Sequence, residues 1–144
     1  MKWVTRAHVQ IDRVACPWLI KRFIDSEAEF TFVAKDLVLK QAAKDNAIPF
    51  DIQDVELGHH GKSCSFVAIM EKYNLKDRAL LKLAEVVNAA DTGMQSSNPY
   101  APGLDAIARG FSLLHPDDFD NLEAQFMVYD ALYTFFRLGD VKVE

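Results

Sequence analysis

Phe119, Leu122, Phe126, Tyr129, Tyr133 and Phe136 recur at three- and four-residue spacing, which sets large apolar side chains along one face of a helix. A face so rich in aromatic rings has to be covered. The fold must therefore bring a core to a helix that starts at His115-Pro116-Asp117-Asp118 and ends near Leu138. His115 belongs to the turn and cap chemistry of that start. Asp120, Glu123, Asp130, Thr134 and Arg137 fall on the opposite stripe, and the Tyr129-Asp130-Ala131-Leu132-Tyr133 run reads as structural on this spacing.

The material for that core lies upstream. Trp3 to Ile11 alternates loosely and reads as a strand. Pro17 fits the first position of a helix through about Ile24, since it lacks the N–H that would be unsatisfied there. Glu29–Val33 is a second strand, Lys35–Asp45 an amphipathic helix, and Ile48–Ile52 a short strand in which Pro49 favours the sheet edge. After a loop over Glu56–Cys64 the pattern turns helical. Ser65–Tyr73 is one helix, and Asp77 caps a second that runs to about Ala90. Asp91–Gly103, with Pro, Gly, Ser, Asn and Thr, reads as a long loop, and Leu104–Leu114 as a shorter helix. The expected class is α+β: one domain over residues 1–144, with a small N-terminal sheet covered by a mainly helical C-terminal part.

Charge narrows the partners. Net charge is −5, and residues 73–144 carry the whole acidic excess. No basic stripe matches a phosphate backbone, so direct nucleic-acid binding is not expected. No apolar stretch approaches membrane-spanning length, and the start at Met1 lacks a secretory apolar segment, which together point to the cytoplasm. Two cysteines make no disulfide framework there and read as free thiols, ligands or buried small residues.

Candidate chemistry concentrates in Glu56-Leu57-Gly58-His59-His60-Gly61-Lys62-Ser63-Cys64. Carboxylate, imidazole and thiolate in one glycine-broken loop can converge on a divalent transition metal, and zinc or iron suits such a mixed donor set. Glu56, His59, His60 and Cys64 are the local ligands, and Asp91, Cys16 and His8 the candidates to complete the shell. The bland alternative is a polar surface loop with a buried Cys64 heading the next helix. Cys16 is the second candidate. Placed at the cap of a helix beginning at Pro17, its thiol would be held toward the thiolate by the helix dipole, with Asp12 and Arg13 beside it and Arg6 across the strand; the alternative is that Cys16 is a small buried hydrophobe and Asp12–Arg13 a surface pair. The same helix start, with Arg13 or Arg22, could hold a small oxyanion. No Gly-rich phosphate loop calls for a nucleotide cofactor. Asp91, at a helix C-terminus, either has a cationic or donor partner or is a solvated helix end.

These residues carry a resemblance. Trp3-Val4-Thr5-Arg6 and Ile11-Asp12-Arg13-Val14-Ala15-Cys16-Pro17-Trp18-Leu19-Ile20 resemble the opening of the chromate-resistance domain. That domain forms the C-terminal part of the chromate-resistance regulator B proteins and also occurs alone. The likeness continues through Arg22-Phe23-Ile24-Asp25, Ala28-Glu29-Phe30, Pro49-Phe50-Asp51, Val55-Glu56-Leu57-Gly58-His59, Cys64-Ser65-Phe66, Ala90-Asp91 and Tyr129–Tyr133. It implies a role in chromate resistance or its regulation, in a bacterial stress-response setting, and brings no catalytic mechanism with it. Within the family pattern His59 and Cys64 match, whereas His60 stands where an Arg is frequent, so His59 ranks ahead of it. An acidic residue common in the family before Gly103 is replaced here by Tyr100-Ala101-Pro102. The DNA-binding part of the longer regulators does not precede Met1 here, so transcriptional repression is not expected of this chain.

Three readings follow. In the first, the chain is a metal- or oxyanion-binding sensor or accessory domain, with Glu56, His59, Cys64 and Asp91 on the metal and Arg13 near an anion. In the second, it is a thiol-dependent reductase or transferase that uses Cys16 or Cys64, with Asp12 and Arg13 beside Cys16 and His59 as base. In the third, it is a structural domain that forms a homodimer through the aromatic helix.

Overall fold

Parallel strands need crossovers, and the apolar runs between the strands of this chain supply them. In the computed structural model, which describes residues 1–139, β1 (Lys2–Arg6), β2 (Glu29–Val33) and β3 (Ile48–Pro49) pair in the order β2-β1-β3, all parallel. Helix α1 (Ile11–Phe23) links β1 to β2, and a short 3-10 turn at Lys35–Leu37 followed by α2 (Val38–Asp45) links β2 to β3. Successive strand residues face opposite sides of a sheet. Trp3 accordingly joins the large core with α1, whereas Val4 joins a small cluster with Val38 and Ala42 of α2. Pro49 lies on the edge strand, where its missing N–H costs the ladder nothing.

The remaining helices cover the α1 side: α3 (Ser65–Lys72), α4 (Arg78–Asp91), α5 (Ala101–Leu114) and α6 (Asp118–Arg137). Asp77 caps α4 by accepting from the Ala79 and Leu80 amides, and Asp117 caps α6 by accepting from the Asp120 amide. The aromatic face of α6 turns inward except at Phe119, its first residue, which is 56% exposed and meets the Phe32 ring edge-on. Tyr129 is fully buried, Leu122 nearly so, and Phe126, Tyr133 and Phe136 pack against the core. Asp130 turns toward α1 instead of standing on a solvent stripe. It accepts from the Trp18 indole N–H at 2.8 Å and forms a two-pronged pair with Arg22 at 3.0 Å, tying α6 to α1. The architecture is α+β. No described helix is long and apolar enough to cross a membrane.

Several boundaries differ from the sequence reading, among them the strand expected over Ile48–Ile52, which is only Ile48–Pro49. β1 stops at Arg6 because His8 adopts a left-handed φ of 65°, and the Asp118 carboxylate holds the His8 and Val9 amides in that turn. α1 therefore begins at Ile11, and Pro17 lies in its interior; Cys16 is mid-helix and not a cap. The loop expected over Asp91–Gly103 is shorter at both ends: α4 keeps Asp91, a 3-10 turn occupies Gln95–Ser97, and α5 starts at Ala101 with Pro102 in its first turn.

Candidate functional site

The two cleft-forming events of the fold meet at one place. β1 ends at Arg6 and β3 leads into Asp51, and the chain reverses its strand order between them, so a crevice opens at the carboxyl ends of the strands. The cleft there has a volume of about 480 Å³ and is lined by Arg6, Lys35, Asp51, Gln53, Asp54 and His59. Its wall is a tight loop in which Asp51 and Asp54 take left-handed φ values of 51° and 62°. Gly58 closes that loop: its amide donates to the Val55 carbonyl, and a Cβ on Gly58 would run into the Ile52 carbonyl oxygen. Gly58→Ala forces apart the segment that carries Asp51 and His59, and is expected to lower stability by about 1–3 kcal/mol. Urea denaturation checks it; an unchanged midpoint would show the loop to be freer than its geometry.

Behind the cleft, α3 begins with three amides satisfied by other elements. Asn88 of α4 accepts from the Cys64 amide at 2.8 Å. Asp12 of α1 accepts from the Ser65 amide at 2.7 Å and the Phe66 amide at 3.2 Å, and its other close donor is the Cys16 thiol at 3.3 Å. The Ser65 hydroxyl in turn donates to Asp51 at 2.9 Å. Asp12 is thus pinned, fully buried, at the positive end of a helix.

His59 completes the cluster. Its Nε2 lies 2.9 Å from Asp91 Oδ2, 3.2 Å from Asp51 Oδ1 and 3.7 Å from Asp12 Oδ2. One ring nitrogen carries one hydrogen and can aim it at one acceptor only. The gathering of three carboxylates around it is charge attraction, not a hydrogen-bond network. Contact with Asp51, opposed by partial burial and reinforced by the charges of Asp12 and Asp91, pushes His59 up to about 9. Asp12 is raised well above the usual carboxylate range by burial, then by Asp51 and Asp91. Burial and Asp51 raise Asp91 too, with His59 pulling the other way. Asp51 differs: burial works against its charge, but His59, Arg13 and the Ser65 hydroxyl outweigh it and hold Asp51 low. Arg13 reaches Asp51 at 3.3 Å and donates to the His8 carbonyl, and Arg6 stands 4.0 Å from Asp51. The Nε–H groups of both arginines are buried without a partner among the described residues.

Ligand atoms of Asp12, His59 and Asp91 all lie within 4.8 Å of one another. Two donors on opposite sides of an ion at about 2.1 Å stand about 4.2 Å apart, so side-chain shifts of a few tenths of an ångström would close this group on a metal. One imidazole with carboxylates suits zinc, iron or manganese.

Of the residues singled out from sequence, the fold therefore unites His59, Asp91, Asp12 and Arg13. Glu56 is not brought to them: its side chain is 71% exposed and holds Lys72 at 2.9 Å. The His60 ring contacts the Glu56 carbonyl, and Arg22 is engaged with Asp130. Cys64 is buried at the start of α3 and does not join the converging group. Of the two readings of Cys16, the low-pKa thiol at a helix cap is overturned and the small buried residue is what the fold contains. Burial, then Asp12, raises both Cys16 and Cys64, the reverse of what a helix cap would do. Asp51 carried no assigned role in the sequence; its signals were its place in the Pro49-Phe50-Asp51 block of the resemblance and directly after Ile48-Pro49-Phe50, where a strand ends.

Comparison with known proteins identifies the family. The family model described as ChrB, C-terminal domain, matches residues 3–136. Protein ChrB of Cupriavidus metallidurans is 34% identical over 136 residues, which cover 94% of this chain and 40% of that protein. No solved structure matches the chain significantly. The match begins at Trp3 in β1 and ends at Phe136 in α6, so it takes in the strand ends, the Asp12 helix, the His59 loop and Asp91 together: the chain belongs to the ChrB C-terminal domain family of chromate-resistance proteins.

Proposed function

We propose that this chain is a cytoplasmic metal- and oxyanion-binding sensor or accessory domain of chromate resistance. Asp12, His59 and Asp91 hold a divalent transition metal, with Asp51 beside them, and the adjoining cleft receives a small oxyanion against Arg6 and Lys35. The observation that carries the reading is the convergence of the Asp12, His59 and Asp91 ligand atoms within 4.8 Å. Supporting it, the acids are crowded enough to raise two of them, a state that a dication relieves better than a single imidazolium does. Arg6 and Lys35, which line the cleft, supply cationic donors suited to an oxyanion.

The test is elemental analysis and zinc, iron(II) and manganese titration of protein purified without an affinity tag. One metal per chain is expected. His59→Ala and Asp91→Ala should each weaken binding by about 100-fold or more, since each removes a ligand outright and loss of a mere supporting group costs up to about that much. Glu56→Ala should leave affinity unchanged. Absence of stoichiometric metal, or equal loss in Glu56→Ala, would overturn the site. Chromate, sulfate or phosphate added to the metal-loaded protein should then bind more weakly in Arg6→Ala and Lys35→Ala.

A further inference from the structure

Helix α5 is apolar on the side that should face water. Ala101, Leu104 and Ala108 are buried against the core. At 3.6 residues per turn, Gly103, Ala106, Ile107, Gly110, Leu113 and Leu114 fall on the opposite half of the helix. Leu113 and Leu114 are 84% and 72% exposed. The only charges on α5, Asp105 and Arg109, sit at the border of this face and pair with each other at 3.2 Å. A surface helix ordinarily places its charges on its outer half, and a helix apolar all round is a buried one. At its N-terminal end the face continues into Tyr100, whose ring meets Phe135 edge-on, both rings being partly exposed.

The glycines say how close the covering partner comes. Gly110 lies in the helix interior, where it costs about 1 kcal/mol relative to alanine, and Gly103 lies in the first turn. Nothing among the described residues lies near the space a Cβ would occupy at either position, and neither takes a left-handed φ. Among the described residues no contact requires them to be glycine. They alternate with large residues along one stripe: Gly103, Ile107, Gly110, Leu114. A second copy of the same stripe laid antiparallel sets Leu114 over Gly103 and Ile107 over Gly110, and the reverse on the other side of the two-fold axis. In parallel register glycine would meet glycine and isoleucine would meet isoleucine. We infer that this face of α5 is an isologous dimer interface, in which a second copy of the chain packs its own α5 antiparallel across the Gly103–Leu114 stripe.

Sedimentation velocity on the whole chain tests it, at concentrations from about 1 µM to about 300 µM, the range in which an interface at the small end of the size scale associates. The expected result is a mass rising from 16.3 kDa toward twice that value. The double variant Gly103→Glu/Gly110→Glu should stay at the single mass throughout, with a melting temperature at the lowest concentration equal to or above that of the parent, because the added side chains enter open space. If the double variant loses its fold, Leu114→Lys decides by the same readout. A parent that keeps the single mass at every concentration, as it would if some other protein covers α5, overturns the proposal. So does a folded variant that dimerises as well as the parent does.

Discussion

Asp12→Ala is expected to cost about 2–5 kcal/mol of stability in the metal-free protein, whereas Asp12→Asn stays within about 1 kcal/mol of the parent and still fails to bind metal. The reason lies in what the buried carboxylate does apart from any metal. It accepts from the Ser65 and Phe66 amides and from the Cys16 thiol. Alanine leaves two amides at the start of α3 buried without acceptors, and each such group costs about 1–3 kcal/mol. Asparagine keeps one oxygen for an amide. It also removes a charge that burial, Asp51 and Asp91 all oppose, and this offsets the weaker capping. For binding, the two variants are alike, since neither presents a carboxylate to a cation. Urea denaturation with a parallel metal titration separates the effects. Metal binding by Asp12→Asn at the parent's affinity would show Asp12 to be a capping residue and nothing more.

That capping role, made by contacts between distant elements, explains why the site was only half legible in the sequence. Periodicity is local information, and it located α3, α4 and α6 and the inward aromatic face of α6 without difficulty. The run of ligand-type residues in a glycine-broken loop made His59 visible, and the predicted helix end made Asp91 visible. Asp12 was visible only as a neighbour of Cys16. Its actual role comes from α1 crossing the start of α3, and no spacing within Ile11–Trp18 encodes that crossing. Asp51 went unassigned for the same reason, since its partners His59, Arg13 and Ser65 come from different elements.

Pro17 and Glu56 show where a sound local rule meets a stronger tertiary term. Proline is favoured at a helix start, but here the preceding turn of α1 is anchored from outside, by Asp118 on the His8 and Val9 amides and by Asp12 on α3, and the helix runs through the proline. Cys16 was moved from cap to interior by that shift, and its expected reactivity reversed with it. Glu56 is three residues from His59 and looked like a co-ligand. The left-handed turns at Asp51 and Asp54 and the close approach at Gly58 wind the loop so that Glu56 leaves on the outer side, to Lys72. Sequence proximity predicts convergence only for a loop of known path.

Metal affinity should climb with pH by about tenfold per unit and level off near the pKa of His59, about 9. In the metal-free protein the imidazole faces Asp12, Asp51 and Asp91, with Arg13 and Arg6 behind Asp51, and is held protonated well above its ordinary 6.5. A ligating imidazole must be neutral, so each binding event below that pH releases the His59 proton. Asp12 and Asp91 are raised as well, and any proton they hold at the acid end steepens the slope further. Stability runs the opposite way. A histidine raised in the folded state contributes fully below 6.5, and the contribution is lost as pH rises through about 9. The metal-free protein therefore loses this stabilisation over the interval in which metal binds more tightly, and the rise in melting temperature on adding a fixed metal excess should widen from about pH 6 to about pH 9. Calorimetric titration in buffers of different ionisation enthalpy counts the released protons directly. At least one is expected near neutral pH, and an affinity that stays flat between about pH 6 and about pH 8.5 would remove His59 from the metal.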